Sequence, residues 1–251
     1  GHLVAAWSST EGRWRQITTA LLSLEGNILK LRESRLADTS PPRDDQLYPA
    51  LSAHAGGISL AWEDRRHGHT VIYKSDSADG LQWTPPRRIS LNATGKAQGT
   101  DLGRGTGAMR PAIAAYAGEQ AVVWLDKRDF LSGYDVYAAH STSSGNGGGN
   151  QKVQDSFGDA IAQWHPAVAG NSQGNWVVAW DDDRDGTSDI WLAVPTATGF
   201  SDNFSPPPAS GPAQQTDPVI ALADNGDLHL AWVERDAEGR SSLRYSVGRR
   251  R

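Results

Sequence analysis

The sequence predicts an all-β protein, a β-propeller built from four-stranded antiparallel blades. Three observations support this fold: an apolar strand motif recurs along the 251 residues, a proline-containing strand precedes four of its copies, and an aromatic strand follows four of them. Regular repeats of four short strands are typical of propeller blades. Each copy of the motif ends at a tryptophan, and the five are Trp7, Trp62, Trp124, Trp180 and Trp232.

The spacing of these elements predicts the order of strands within one blade. Prolines open the strand before the tryptophan strand in four repeats: Pro49, Pro111, Pro166 and Pro218. Because proline has no N–H to donate, we expect it at the first residue of a strand. The 13 or 14 residues from proline to tryptophan leave room for one strand, a tight turn and the tryptophan strand. This proline strand is expected to be the innermost strand of its blade.

Aromatic residues mark a third strand, and a weaker fourth strand follows it. The third strands are predicted at 71–73, 135–137, 189–191 and 243–245, and Arg87 to Ile89 exemplifies the fourth. Residues 16–33 contain the nearest approach to a helical pattern. We interpret them instead as the third and fourth strands of the first blade, joined by a turn at 24–27.

Both ends of the array are incomplete. The first blade begins at its tryptophan strand, and the last blade ends on its third strand near Ser246. Either the five motifs close into a ring in an unusual way, or they belong to a six- or seven-bladed ring. We favour the second interpretation, because an open propeller exposes sheet edges that invite pairing. Residues 1–251 are predicted to form a single propeller domain.

Composition excludes several classes of function. The net charge of −5 and the pI of about 5.8 provide no basic surface for nucleic acid. No apolar run approaches the ~18 residues of a membrane span. The absence of cysteine excludes disulfides and cysteine nucleophiles.

The repeat pattern resembles that of the sialidase/BNR repeat superfamily. The resemblance is carried by the order Pro-x-Val/Ile-Ala, Val-x-Trp-x-Asp-x-Arg, Asp-Ile-Tyr, and by residues 77–83, Ser-Ala-Asp-Gly-Leu-Gln-Trp, which resemble the Asp-box turn of that superfamily. It implies an extracellular, periplasmic or cell-surface location. It does not transfer sialidase chemistry: of the family's catalytic set, only Arg110-Pro111 approximates one motif, the arginine of Arg-Ile-Pro.

A Trp-x-Asp-x-Arg pattern recurs in three blades, at Trp62/Asp64/Arg66 and at the equivalent positions of the next two. An arginine fork beside a carboxylate is able to bind an acidic sugar. However, a feature repeated once per blade at the same hairpin usually belongs to the scaffold. We therefore interpret the pattern as structural.

An acidic run in the fourth repeat carries a calcium hypothesis. Asp181, Asp183 and Asp185 precede Gly186 with the spacing of the first half of a calcium loop. Leu192 occupies the twelfth position, where an EF-hand needs glutamate, so an EF-hand is excluded. The alternatives are a hairpin-type Ca²⁺ site and a solvated acidic turn. No other cofactor is predicted.

The residue before each blade-opening proline breaks the repeat. These residues are Tyr48, Arg110, His165 and Asp217. In a propeller they would lie near the mouth of the central channel, where side chains of such different chemistry are able to hold a sugar or transfer protons. The alternative is that they vary freely on a solvated rim.

These observations favour a non-catalytic, exported module that binds a protein or a glycan. A chain segment or subunit that completes the ring is the other kind of partner that the incomplete ends predict. Two alternatives remain open at this point: a sialidase-like glycoside hydrolase with its site at the channel mouth, and a multivalent lectin.

Overall fold

Five antiparallel sheets follow one another along the chain. The computed structural model describes residues 2–91, 107–128, 133–142, 145–146 and 149–249. No helix within these ranges has the length and apolarity needed to cross a bilayer. We call the sheets blades 1 to 5 in chain order, and blade 1 contains β1 (His2–Glu11), β2 (Trp14–Glu25) and β3 (Ile28–Leu36). Blade 2 contains β4 (Gln46–His54), β5 (Gly57–Asp64), β6 (Val71–Ser77) and β7 (Arg87–Arg88). Blade 3 contains β8 (Met109–Tyr116), β9 (Glu119–Asp126), β10 (Asp135–Thr142), β11 (Gly145–Asn146) and β12 (Gln151–Lys152).

Blades 4 and 5 contain three strands each. They are β13 (Trp164–Gly170), β14 (Trp176–Asp182) and β15 (Asp189–Ala193), then β16 (Gln214–Leu222), β17 (Leu228–Arg235) and β18 (Ser241–Gly248). In blade 4 the outer segment is reduced to an isolated bridge between Leu192 and Phe204. The predicted third strands all form, and residues 16–33 are strands rather than helix.

Consecutive blades pack face to face through one recurring contact. A buried aliphatic side chain on the third strand of one blade shares a core cluster with the tryptophan of the next blade. The pairs are Ile17 with Trp62, Ile72 with Trp124, Val136 with Trp180, and Ile190 with Trp232. The apolar area thus buried between sheets is the main source of stability in such an array.

The innermost strands β4, β8, β13 and β16 surround a common axis. Residues near the start of each strand line one pocket, and the hairpin turns at their ends line another at the opposite end of the channel. The predicted β-propeller is therefore confirmed.

The structure corrects the predicted position of the prolines. Pro49, Pro111, Pro166 and Pro218 lie inside the inner strands, not at their first residues. Each strand pairs before and after its proline, with a register shift between, for example, Leu47 and Ala50. A bulge on the edge strand of a sheet accommodates a residue that cannot donate to the ladder.

The Trp-x-Asp-x-Arg pattern forms a buried unit in each of three blades, as the scaffold interpretation predicts. In blade 3, Trp124 donates its indole N–H to Asp126 at 2.8 Å, and the Arg128 guanidinium pairs with the same carboxylate at 2.6 Å. That guanidinium also lies 3.8 Å from the centre of the Tyr137 ring. Equivalent contacts fix the hairpins of blades 2 and 4.

The two ends of the array are open among the described residues. Trp7 is 41% exposed, whereas the four equivalent tryptophans are at most 3% exposed. On blade 5, Leu243 is the equivalent of Ile190, because each lies opposite the residue that follows its blade's tryptophan. The side chain of Leu243 is 79% exposed. Trp7 and Leu243 are thus the two halves of the aliphatic–tryptophan contact that joins consecutive blades elsewhere in the array.

Candidate functional site

The four residues before the blade-opening prolines line one pocket at the end of the channel. Tyr48, Arg110, His165 and Asp217 surround a space of about 340 Å³ together with their prolines and Val219. The structure thus brings together all four positions that the sequence singled out. Their convergence follows from the repeat, because each begins the equivalent bulge of an inner strand.

The backbone at these four positions is strained. Their φ angles are 50°, 54°, 47° and 56° for Tyr48, Arg110, His165 and Asp217. A side chain in the left-handed region is uncommon, and the residue before a proline normally adopts an extended conformation. Each such conformation costs roughly 1–3 kcal/mol and persists only where surrounding contacts enforce it. The same strained conformation thus recurs four times around this one pocket.

Two carboxylates flank the imidazole of His165. Its Nδ1 lies 2.8 Å from Asp181 Oδ1, and its Nε2 lies 3.4 Å from Asp217 Oδ1. The Asp181 hydrogen bond raises the pKa of His165, against a smaller effect of burial. The imidazolium is therefore favoured at a pocket wall where a bound ligand is able to reach it.

Asp181 also fixes the neighbouring inner strand. The same Oδ1 accepts the backbone N–H of Asp217 at 3.0 Å, so one buried carboxylate orients two residues of the pocket. It lies on β14, directly after Trp180.

Glu63 has the equivalent role between blades 2 and 3. It follows Trp62 on β5, is buried, and accepts the backbone N–H of Arg110 at 2.7 Å. Burial raises the pKa of Glu63, although the Arg110 hydrogen bond opposes the shift. The buried acid therefore holds the bulge that presents Arg110 to the pocket.

Arg110 and Tyr48 form the opposite wall of the pocket. The guanidinium carbon of Arg110 lies 3.8 Å from the centre of the Tyr48 ring, a cation–π distance. Both side chains are exposed. Among the described residues no carboxylate forms a salt bridge with Arg110, which lines the pocket beside Tyr48.

Sequence reasoning missed Glu63 and Asp181 as supports of the site. The signal was present: the residue after the repeat tryptophan is acidic in two copies and is serine, leucine or valine in the others. The pre-proline residues were identified because they differ from repeat to repeat at one equivalent position. The position after the repeat tryptophan differs in the same way, and it identifies Glu63 and Asp181.

The three aspartates of the calcium hypothesis do not converge. Asp181 is buried and bonded to His165, while Asp183 and Asp185 lie exposed in the turn after β14. No group of three or more acidic or histidine side chains within the described ranges is arranged to hold a metal ion.

Comparison with known proteins identifies the fold. No model of a protein family matches the sequence, and no curated protein sequence matches it. Solved structures do match. An α-L-arabinanase from Penicillium chrysogenum complexed with arabinobiose aligns with a TM-score of 0.62 and 16% identity, over 98% of this chain and 77% of that one.

Two further structures align similarly. A GH93 α-L-arabinofuranosidase from Fusarium graminearum, also with arabinobiose, has a TM-score of 0.59 and 13% identity over 99% of this chain and 72% of that one. A protein of unknown function from Dyadobacter fermentans has a TM-score of 0.60 and 15% identity over 92% of this chain and 68% of that one. These alignments establish a shared β-propeller fold, and identities this low establish nothing beyond the fold.

These matches correct two expectations. The β-propeller is confirmed, but the structures cited here with a stated activity are an arabinanase and arabinofuranosidases, and membership of the sialidase/BNR superfamily is not supported. The expectation of a non-catalytic binding module is contradicted, because the matching structures of stated activity are glycosidases. The glycosidase alternative fits them better.

Proposed function

We propose that this protein is a glycoside hydrolase whose active site is the pocket formed by Tyr48, Arg110, His165 and Asp217. The observation that carries the proposal is the position of His165 between two carboxylates on the wall of that pocket. Arabinan is the proposed substrate class, since an arabinanase and an arabinofuranosidase share the fold.

Hydrolysis of a glycosidic bond needs a proton for the departing oxygen. The raised pKa of His165 favours the imidazolium, and the Asp217 carboxylate on its Nε2 side belongs to the same proton-holding pair. In the proposed reaction this pair gives a proton to the leaving oxygen, and water adds to the anomeric carbon as the glycosidic C–O bond breaks. The proton released by that water restores the pair.

The opposite wall of the pocket suits a sugar. Tyr48 offers an exposed aromatic face against which the C–H face of a sugar ring is able to pack, and Arg110 offers donors to ring hydroxyls. Strained bulges, held from behind by buried Glu63 and Asp181, keep both walls in place without ligand.

The test is release of reducing ends from linear arabinan and arabinobiose, with a fluorogenic sialoside as the comparison substrate. We expect turnover of the arabinan substrates, and a loss of at least about 100-fold in kcat for His165→Gln and Asp217→Asn. Matched controls are His54→Gln, at the opposite end of the channel, and Asp202→Asn, an exposed carboxylate on blade 4. Both should retain full activity.

The outcomes separate the levels of the proposal. Cleavage of the sialoside but not of arabinan would retain the glycosidase and refute the substrate class. Arabinan binding without any turnover would refute catalysis and support the lectin alternative. Equal loss in the control variants would refute the assignment of the pocket.

We also propose that the protein acts outside the cytoplasm, as the sequence led us to expect, because a polysaccharide such as arabinan is too large to enter a cell. Detection of the native protein in the medium, the periplasm or the cell surface rather than the cytosol tests this.

A further inference from the structure

Two aromatic side chains lie beside the pocket, at the interface between blades 3 and 4. Trp164 is the first residue of β13 and directly precedes His165, and Tyr134 directly precedes β10. The ring centres of Trp164 and Tyr134 lie 5.5 Å apart with an interplanar angle of 53°. A tilted contact at this distance is a favourable arrangement of two aromatic rings. The pair therefore connects the two blades whose inner strands carry Arg110 and His165.

Contacts on the blade 3 side fix Tyr134 next to the wall of the pocket. Its backbone carbonyl accepts the N–H of Gln163 at 2.8 Å, and the Lys127 ammonium lies 5.1 Å from the centre of its ring, a cation–π distance. Burial raises the pKa of Tyr134, and the charge of Glu63 raises it further. Glu63 is the carboxylate that accepts the backbone N–H of Arg110, so Tyr134 lies close to the residue that positions Arg110.

The repeat does not require an aromatic residue at either of these positions. Trp164 lies two residues before the proline of its inner strand, and Tyr134 lies just before the third strand of its blade. The equivalents of Trp164 in blades 2, 3 and 5 are Leu47, Met109 and Thr216, and those of Tyr134 in blades 2, 4 and 5 are Thr70, Ser188 and Ser241. The scaffold therefore forms at the other blade interfaces without an aromatic pair at this level.

Trp164 also keeps much of its surface in water. It is 41% exposed, whereas the equivalent Leu47 is 7% exposed, and the Tyr134 ring is half-buried against the core between blades 3 and 4. An exposed tryptophan forgoes the free energy that its burial would provide. Apolar surface of this kind beside a polar pocket is typical of a ligand-binding surface, and the C–H face of a sugar ring is able to pack against it.

We propose that the Trp164–Tyr134 pair is a second sugar-binding subsite, which holds one ring of a linear arabinan chain while other rings of the same chain occupy the pocket. This inference rests on the proposed glycosidase function and extends it to the length of the substrate. Cleavage requires the two rings joined by the scissile bond to lie at the pocket, so the ring on Trp164 is at least the third. Arabinobiose has two rings and is too short to use the subsite.

A structural role for the pair predicts a different behaviour. If Trp164 served only to support the bulge that carries His165, its truncation would impair the pocket itself. Activity toward short and long substrates would then decline equally. A subsite outside the pocket instead changes the preference for chain length.

Kinetics with arabinohexaose and arabinobiose distinguish these two roles. For Trp164→Ala we expect the ratio of kcat/KM for arabinohexaose to that for arabinobiose to fall by at least about fivefold, because only the longer chain reaches the ring. Trp164→Phe keeps an aromatic face and should restore most of that ratio. The matched control is Trp7→Ala, which removes an equally exposed tryptophan from blade 1 and should leave the ratio unchanged. An equal loss on both substrates, or an unchanged ratio for Trp164→Ala, would overturn the subsite.

Calorimetry separates the failure of the subsite from the failure of the glycosidase assignment. In the Asp217→Asn background, where the chain should stay intact, Trp164→Ala should weaken the binding of arabinohexaose by at least about fivefold more than that of arabinobiose. This result together with no turnover by the wild type would refute the glycosidase and retain the subsite. Turnover by the wild type with no such change in binding would retain the glycosidase and refute the subsite. Absence of binding to either sugar would overturn both the substrate class and the subsite.

Discussion

The imidazole Nδ1 of His165 lies 2.8 Å from Oδ1 of Asp181, a carboxylate that is 2% exposed. His165 lies in the bulge of β13, next to Pro166, and Asp181 lies on the neighbouring strand β14, opposite Trp164. A charged group that is buried and hydrogen-bonded in this way fixes both the orientation and the protonation of its partner. The protonation of His165 therefore depends on Asp181, a residue that does not line the pocket.

Replacing Asp181 by asparagine should lower the pKa of His165. The substitution preserves shape and removes the charge that stabilises the imidazolium. Titration of the His165 ring protons by NMR measures the shift, and Asp202→Asn is the control. An unchanged titration curve would contradict the role given to Asp181.

The contribution of His165 to stability should decline as pH rises. Its pKa in the folded protein is raised above the ordinary value, so its stabilising effect is complete below about pH 6.5 and disappears as the pH passes through the folded-state pKa. Solvent screening of this half-exposed side chain keeps the effect small. Urea unfolding of the wild type and His165→Gln should therefore show a stability difference that is larger at pH 6 than at pH 9. A difference that grows with pH would refute the assignment.

The buried repeat tryptophans should differ sharply from Trp7. Trp180→Ala removes a fully buried side chain between blades 3 and 4 and should cost about 3–5 kcal/mol. Trp7→Ala should cost less than about 1 kcal/mol, because its face has no neighbouring blade. Chemical denaturation measures both. Equal costs would mean that the Trp7 face is covered in solution.

Breaking the buried Trp–Asp–Arg unit should destabilise blade 3. Asp126→Ala leaves the Trp124 indole N–H and the Arg128 guanidinium without their acceptor, at a cost of about 3–5 kcal/mol. The matched surface change is Glu234→Ala, which removes the exposed pair with Arg244 and should cost less than about 1 kcal/mol. Comparable denaturation midpoints for Asp126→Ala and Glu234→Ala would refute the scaffold role of the Trp–Asp–Arg unit.

Gly170 should not tolerate a side chain. A Cβ at this position overlaps the ring of Tyr116 in the adjacent blade, so Gly170→Ala should cost about 1–3 kcal/mol. Gly199 has no neighbour within 4 Å of an added Cβ, and Gly199→Ala should change stability by less than about 0.5 kcal/mol. Thermal unfolding distinguishes the two, and equal behaviour would show that blades 3 and 4 pack less closely than described.

Local patterns in the sequence determined the blades. The fixed spacing of proline, tryptophan and a third-strand aromatic residue leaves each segment one partner within reach, so pairings such as Ala50 with Ala61 follow from short-range chemistry. Divergence at the pre-proline position was enough to select Tyr48, Arg110, His165 and Asp217, because equivalent residues of a repeat reach equivalent places around the axis.

The tertiary structure alone decided how those residues are held. The bonds from Arg110 to Glu63 and from Asp217 to Asp181 join residues 47 and 36 positions apart, across the interface between two blades. The acidic residues after two of the repeat tryptophans stand out in the sequence, but no local pattern shows which backbone N–H each of them accepts. The bulges and their left-handed backbone therefore went unpredicted, and the acidic run at Asp181 suggested a calcium ligand instead. The contacts between blades exist only once neighbouring sheets pack and a buried carboxylate finds the one backbone N–H that satisfies it.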